Sequence, residues 1–166
     1  MKNYVKEGQK LPLFGVGPYM ISAMTILTVI GIIILCYLLK IGMLVDVWTL
    51  IFRILGILFI VTGLGIWYSG ALRSGVVENI KDNRLKTDGI YGWVRNPMYS
   101  GVWIFLSGVI LIYHNYCLLI VIPVNWLIMT LTLVNTEEKW LENLYGDEYT
   151  AYKGKVNRCI PWIPGN

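Results

Sequence analysis

The chain has 166 residues, 56% of them hydrophobic, and a mean hydropathy of +0.60. A soluble domain balances its core with a charged surface, so this composition excludes an ordinary soluble protein and predicts a lipid bilayer as solvent. The formal net charge of +4 is modest and gives no reason to expect a nucleic-acid partner. Four spans of about 20 residues would use roughly half of the chain, which leaves room for a single domain over residues 1–166.

Four apolar runs predict four membrane-spanning helices, over residues 19–39, 47–68, 98–113 and 116–134. The first run is too long for the core of a signal peptide, so we expect a retained helix. Only two residues separate the last two runs, so their helices must form a tight antiparallel hairpin. The fold class is therefore predicted to be an all-α, polytopic membrane bundle.

The basic residues predict how this bundle is oriented. Twelve of the fourteen Lys and Arg residues, all but Lys40 and Arg53, lie in the N-terminal arm, the loop over 69–97 and the tail over 135–166. An even number of spans puts these three segments on one side, and the positive-inside rule makes that side the cytoplasm. We predict an integral membrane protein with both termini, the loop and the active site facing the cytoplasm.

The tail predicts an amphipathic cap. Hydrophobic and aromatic residues recur in it at helical spacings of three and four: Leu141, Leu144, Tyr145, Tyr149 and Tyr152. Gly146 is expected to break or kink the helix. Such a segment could lie on the membrane surface or fold back over the loop at 69–97.

The cysteine and histidine residues do not predict a disulfide, a metal site or a catalytic base. Cys36, Cys117 and Cys159 are widely spaced and fit neither a disulfide framework nor a zinc site, and no other pattern predicts a metal. Arg158 makes a reactive Cys159 conceivable, but a small packed hydrophobe is the favoured interpretation. His114, the one histidine, lies in the turn predicted to face away from the cap, so we do not expect it to act as a base.

The first polar motif is the sequence Arg95-Asn96-Pro97 before the third span. Pro97 suits the first turn of a helix, which leaves the two preceding side chains at the helix mouth. The positive helix end there attracts anions, and Arg95 could hold a carboxylate bidentately. Alternatively, Arg95 contacts lipid headgroups and the neighbouring aromatic residues join an interfacial belt. Physical reasoning leaves both interpretations open.

Two further motifs carry similar alternatives. Glu137 and Glu138 follow the fourth span directly, where carboxylates could bind an amine, a sulfonium or ribose hydroxyls, or could form the solvated start of a helix. Gly63 and Gly65 lie within the second span. Such small residues permit close helix packing in lipid, and they equally permit a ligand to approach the backbone.

These motifs are ordered along about the last hundred residues. Gly-x-Tyr and Arg-x-Pro-x-Tyr patterns are formed by Gly89, Tyr91, Arg95, Pro97 and Tyr99. The tail pattern is formed by Glu137, Glu138, Tyr145, Gly146, Tyr149, Tyr152, Arg158 and Pro161. The combination resembles the isoprenylcysteine carboxyl methyltransferase and phospholipid methyltransferase group of membrane enzymes. Gly63 and Gly65 look like the Gly-x-Gly that phospholipid N-methyltransferases place in a membrane helix.

Asn96 departs from the family pattern, which has a histidine at this position. An amide can form hydrogen bonds but cannot exchange a proton near neutral pH. If the family's histidine only holds the cofactor, Asn96 can substitute for it. If that histidine removes a proton, the function would be lost here, which favours a substrate that is already anionic.

The resemblance implies S-adenosylmethionine as cofactor, with S-adenosylhomocysteine as its product. It implies that the cofactor is bound by Gly63, Gly65, Tyr91, Asn96, Tyr99, Glu137 and Glu138. Arg95 and Glu138 are predicted to be catalytic, and the acceptor is predicted to contact Arg95, Tyr149 and Arg158.

The main functional hypothesis is methylation of the carboxylate of a prenylated or similar lipophilic thiol-acid, which would enter from the bilayer. The alternative is N-methylation of a phospholipid headgroup or a small lipophilic amine. A non-catalytic membrane scaffold or transporter would explain the hydropathy but would leave the ordered motifs without a reason.

Overall fold

The computed structural model describes residues 15–76, 79 and 84–162. Within these ranges six α-helices follow one another: α1 (Gly17–Ile32), α2 (Asp46–Tyr68), α3 (Pro97–Ile112), α4 (Val121–Asn135), α5 (Glu137–Tyr145) and α6 (Asp147–Lys155). π-helical turns extend α1 over Ile33–Leu38 and α2 over Ser69–Arg73, and 3-10 turns over Gly89–Gly92 and Tyr116–Ile120 precede α3 and α4. Pro97 begins α3 as predicted, because a proline at the first helical position loses no hydrogen bond.

Three helical segments are long and apolar enough to cross a bilayer: Gly17–Leu38, Asp46–Arg73 and Tyr116–Tyr145, with mean hydropathies of 2.5, 2.2 and 2.3. The all-α membrane bundle is therefore confirmed. The third predicted span, residues 98–113, is present as α3, which has 16 residues and is shorter than the others. At 1.5 Å per residue it covers about 24 Å of a hydrocarbon core about 30 Å thick.

Large hydrophobic side chains cover the outward faces of α1 and α2, among them Ile26, Val29, Leu50, Ile54, Leu58 and Val61. An apolar surface of this extent is unstable in water, whereas lipid tails cover it without cost. The structure thus supports an integral membrane protein by both the length and the outer surface of its helices.

The helices α2 and α3 form the closest pair in the bundle. A Cβ atom on Gly63 would lie 2.6 Å from the carbonyl oxygen of Gly101 and 2.6 Å from the backbone nitrogen of Phe105. Two turns away the arrangement repeats, since a Cβ atom on Gly56 would lie 2.8 Å from the carbonyl oxygen of Gly108. Glycines therefore let the two backbones touch, as small residues commonly do in membranes.

The core lies on the other side of α3, where α1 and α4 pack against it. One cluster of its buried hydrophobic residues consists of Met20, Met24, Leu106, Met129, Leu133 and Cys159. One buried polar contact crosses this core, from the Asn125 amide of α4 to the Thr28 hydroxyl of α1 at 2.9 Å. This contact pairs two polar groups that would be costly to leave unpaired in an apolar interior.

Asn115 holds the predicted tight hairpin between α3 and α4. Its side chain is fully buried, and its Oδ1 atom accepts hydrogen bonds from the backbone nitrogens of Cys117 (2.9 Å) and Leu118 (3.3 Å). Its amide nitrogen donates to the carbonyl oxygen of Ile41 at 2.7 Å. One side chain thus ties together both connections at the end of the bundle opposite the cap.

The cap consists of α5 and α6, which meet at Gly146. This residue has a φ of 52°, a conformation that glycine adopts readily, so the predicted break is confirmed. Tyr149 and Tyr152 of the cap, and Val156 directly after it, are buried and pack with Leu85 of the loop, among others. Of the two predicted positions for the tail, the structure therefore shows the one folded over the loop.

Candidate active site

A cavity of about 140 Å³ lies between the loop before α3, the first turn of α3 and the cap. Apolar and aromatic side chains form most of its wall: Val76, Leu85, Tyr91, Met98, Tyr99, Trp140, Leu141, Tyr145, Tyr149 and Tyr152. Its polar side chains are Asn79, Arg84, Lys86, Arg95, Asn96 and Glu137. Six residues predicted as site residues from sequence are brought together here: Tyr91, Arg95, Asn96, Tyr99, Glu137 and Tyr149.

Tyr91 joins the loop to both the membrane helices and the cap. Its hydroxyl donates to the carbonyl oxygen of Gly70 at 3.5 Å, and its own carbonyl oxygen accepts from the Tyr152 hydroxyl at 2.6 Å. Burial, and to a lesser degree the charge of Glu137, raises the pKa of Tyr91 above its ordinary value. Tyr91 therefore faces the cavity as a neutral phenol.

Arg95 is a buried cation at the cavity wall, with only 5% of its side chain exposed. Its Nη2 atom lies 3.1 Å from Glu138 Oε1, and its guanidinium lies 6.0 Å from the centre of the Tyr149 ring. Its Nε and Nη1 atoms are buried and have no hydrogen-bond partner among the described residues. Buried donors without a partner are costly, so these two nitrogens indicate a ligand with anionic or carbonyl oxygens.

Glu138 lies behind this wall and does not face the cavity. Arg158 grips its carboxylate with two nitrogens, Nε at 2.6 Å from Oε1 and Nη2 at 3.0 Å from Oε2. Only 2% of Glu138 is exposed. The predicted contacts of Glu138 with the cofactor and of Arg158 with the acceptor stay predictions, because the described wall contains neither side chain.

Glu137, one residue earlier, does face the cavity. Its Oε1 atom accepts a hydrogen bond from the Tyr99 hydroxyl at 2.7 Å, and the backbone of Val16 also hydrogen-bonds to its carboxylate. A Cβ atom on Gly17 would lie 2.6 Å from the same hydroxyl oxygen. The first turns of α1, α3 and α5 therefore converge on one carboxylate, which keeps lone pairs for a ligand that donates hydrogen bonds.

Asn96 connects the cavity to the segment that follows α6. Its amide nitrogen donates to the carbonyl oxygen of Arg158 at 3.1 Å, and the backbone nitrogen of Arg95 donates to the carbonyl oxygen of Asn157 at 2.8 Å. The amide in the position of the family's histidine thus holds the segment after α6 against the loop.

The two glycines of α2 are not brought to the cavity. Gly63 packs against the backbone of α3, and in the described part of the chain nothing lies within 4 Å of a Cβ atom built on Gly65, which is exposed on the outer face. Their proposed contact with a cofactor stays a prediction.

Comparisons with known proteins decide the family. Residues 51–148, more than half of the chain, match the family model described as phospholipid methyltransferase. The chain belongs to the phospholipid methyltransferase family. The matched range contains most of α2, all of α3 to α5 and the loop before α3, and therefore most of the cavity wall.

Several curated proteins are similar to this family member. Protein-S-isoprenylcysteine O-methyltransferase of Schizosaccharomyces pombe is 38% identical over 91 residues, which is 51% of this chain and 36% of that protein. The Saccharomyces cerevisiae protein of the same name is 31% identical over 118 residues, 66% of this chain and 49% of its own. Methanethiol S-methyltransferase 1 of Bradyrhizobium diazoefficiens is 32% identical over 79 residues, 48% of this chain and 27% of its own. The chain thus spans half or less of the length of these relatives.

Two cations of this phospholipid methyltransferase family member were not predicted as site residues. Arg84 and Lys86 belong to the loop and line the cavity, where Lys86 forms an ion pair with Asp88 at 2.8 Å. The sequence shows them only as part of a charged loop. Nothing in their spacing distinguishes a residue that faces the cavity from one that faces water.

Cys159 is predicted to react slowly with thiol reagents. Burial raises the pKa of its thiol to about 11, more than the nearby Arg158 lowers it. Because the thiolate is the reactive form, alkylation by iodoacetamide should be slow near pH 7 and should accelerate about tenfold per pH unit up to about pH 11. Timed labelling followed by mass spectrometry of the Cys159 peptide measures this rate. Rapid labelling near neutral pH would contradict the buried position.

Proposed function

We propose that this protein is a membrane methyltransferase that moves a methyl group from S-adenosylmethionine to the carboxylate of a lipophilic acceptor of the isoprenyl-thioether acid class. The observation that carries the proposal is Arg95, a buried arginine at a largely apolar cavity, two of whose nitrogens have no hydrogen-bond partner in the described part of the chain. The names of the yeast relatives support the acceptor class, and a scaffold would have no use for such an arginine.

The cavity wall has groups that fit S-adenosylmethionine. The Glu137 carboxylate can accept hydrogen bonds from an ammonium or from ribose hydroxyls, and the rings of Tyr91 and Tyr99 can lie against a sulfonium or a base. Asn96 lines the same cavity. When bound, the cofactor supplies an electrophilic methyl group on a positively charged sulfur.

The chain's own residues then have to align the acceptor and exclude water, and they do not have to transfer a proton. A methyl transfer to a carboxylate breaks a sulfur–carbon bond and forms a carbon–oxygen bond, and the oxygen carries no proton that must be removed. Arg95 orients the carboxylate through a nitrogen that has no partner among the described residues, and the apolar wall keeps water away. Asn96 is therefore sufficient where the family pattern has a titratable histidine.

A methyl-transfer assay on the full chain in detergent or lipid tests this function. Calorimetry with S-adenosylhomocysteine should show binding, and among an S-isoprenylcysteine, an aminophospholipid and methanethiol, the acid should be methylated most efficiently. Preferential methylation of the lipid amine or of the thiol would replace the proposed acceptor. Absence of both binding and transfer would reject the enzyme.

The cap is proposed to face the cytoplasm, on the argument from basic residues. The basic residues predict that Lys81 and Asn166 are labelled from the cytoplasmic side and that Asn115 is not. Lys81 and Asn166 lie outside the described residues, and Asn115 is buried. Cysteines are therefore better placed at Lys153 in the cap and at Tyr116 in the opposite turn, both of which are exposed. A membrane-impermeant maleimide should label the first only from the cytoplasmic side and the second only from the other side. The reverse pattern would contradict the orientation.

A further inference from the structure

We propose that Arg158 and Glu138 are positioning residues that make the cavity selective for an anionic acceptor. Together they hold Arg95, while its Nε and Nη1 donors have no hydrogen-bond partner among the described residues. The inference rests on the proposed function and assigns to these two residues a role outside direct ligand contact.

Arg158 and Arg95 contact the Glu138 carboxylate in different ways. Arg158 takes both oxygens of Glu138, at 2.6 and 3.0 Å, whereas Arg95 makes one contact, from Nη2 at 3.1 Å. A carboxylate without Arg158 would be free to take two nitrogens of Arg95, since bidentate pairs are the favoured geometry. By binding both oxygens of Glu138, Arg158 therefore keeps this carboxylate from pairing with the Nε or Nη1 donor of Arg95.

The charge of the cluster leads to the same conclusion. Two arginines and one glutamate carry a net charge of +1, and the side chains of Arg95 and Glu138 are only 5% and 3% exposed. Within this cluster one positive charge has no counter-charge, and a charge of that kind in a low-dielectric setting favours a ligand of opposite charge. Without Arg158 the cluster would be neutral, and this preference would be lost.

The backbone keeps the cluster in place. The carbonyl oxygens of Asn157 and Arg158 accept hydrogen bonds from the Arg95 backbone and the Asn96 amide, and the Trp162 nitrogen donates to the Trp93 carbonyl oxygen at 3.1 Å. The segment that carries Arg158 is thus bound directly to the segment that carries Arg95. Arg158 itself stays 27% exposed at its side chain, so it can be replaced with less disturbance than its two partners.

Arg158→Gln and Arg158→Lys test the inference through ligand charge. The KM for an S-isoprenylcysteine should rise about tenfold or more in Arg158→Gln, whereas the inhibition constant of its neutral carboxamide and the Kd of S-adenosylhomocysteine should change by less than about twofold. Arg158→Lys keeps the charge but not the two-nitrogen grip, so its KM should lie between those of the wild type and Arg158→Gln.

Lys153→Gln is the matched control. It also removes a positive charge that pairs with a glutamate, but the Lys153–Glu142 ion pair is exposed on the cap. It should change none of the three constants. Equal changes for acid and carboxamide, or no change for either, would overturn the positioning role. If Arg158→Gln does not fold, the same comparison in Arg158→Lys decides. If the wild type methylates no acid, the proposed function is rejected but the positioning role is not. The Kd values of the acid and the carboxamide would then still test whether the cluster selects an anionic ligand.

Discussion

Arg95→Lys should lower kcat/KM for an anionic lipophilic acceptor about ten- to a hundredfold. Lysine keeps the positive charge beside Glu138, but it has no planar fork and cannot replace the donors at Nε and Nη1. A hydrogen bond to a charged group contributes about 1.5–3 kcal/mol, which corresponds to the stated range of rates. Steady-state methyl transfer with an S-isoprenylcysteine measures the effect.

The same substitution should leave the Kd of S-adenosylhomocysteine within about twofold, because Arg95 is assigned to the acceptor. Arg53→Lys, the same chemical change at an exposed position of α2, serves as control and should alter neither quantity. Loss of S-adenosylhomocysteine binding in Arg95→Lys would place the residue in the cofactor site. If activity and binding both survive, contact with lipid headgroups is the better explanation of Arg95.

Gly63→Ala should destabilise the bundle by about 1–3 kcal/mol or more, as overpacking in a tight interior does. The added Cβ atom would lie 2.6 Å from two backbone atoms of α3, and no side-chain rotation can relieve a clash with backbone. The two helices would have to separate, which would also move Pro97 and the residues before it. Thermal or denaturant unfolding of the protein in detergent measures the loss.

Gly65→Ala is the matched control two residues away. Its Cβ atom would meet nothing within 4 Å among the described residues, and alanine is the better helix former, so stability should be unchanged or slightly higher. S-adenosylhomocysteine binding in both variants also tests the predicted role of these glycines. Lost binding in a stable Gly65→Ala would show that the glycine pair holds the cofactor, and unchanged stability in Gly63→Ala would contradict the close helix packing.

The structure also explains why Asn96 is compatible with the motif in which it lies. An amide at this position is predicted to keep a hydrogen-bonding role but not a proton-transfer role. The observed bond from its side chain to the carbonyl oxygen of Arg158 is of the first kind. Its partner could not be predicted, because 62 residues separate the two positions and no local pattern connects them.

Hydropathy and turn chemistry, which are local properties, determined much of this protein by sequence alone. Long apolar runs can satisfy their backbone in a bilayer only as helices, which is why the all-α bundle is predictable. The break at Gly146, the start of α3 at Pro97 and the hairpin at Asn115 follow equally from residues close in sequence. The ordered motifs were sufficient to indicate the family.

Only the tertiary structure decided which side of each helix these motif residues occupy. Consecutive residues of a helix point about 100° apart, so Glu137 faces the cavity while Glu138 faces the buried Arg95 and the partly exposed Arg158. Gly63 and Gly65 point about 200° apart, so one contacts α3 and the other faces outward. A sequence motif places such pairs side by side, but packing against helices distant in the chain sets the rotation that separates their roles.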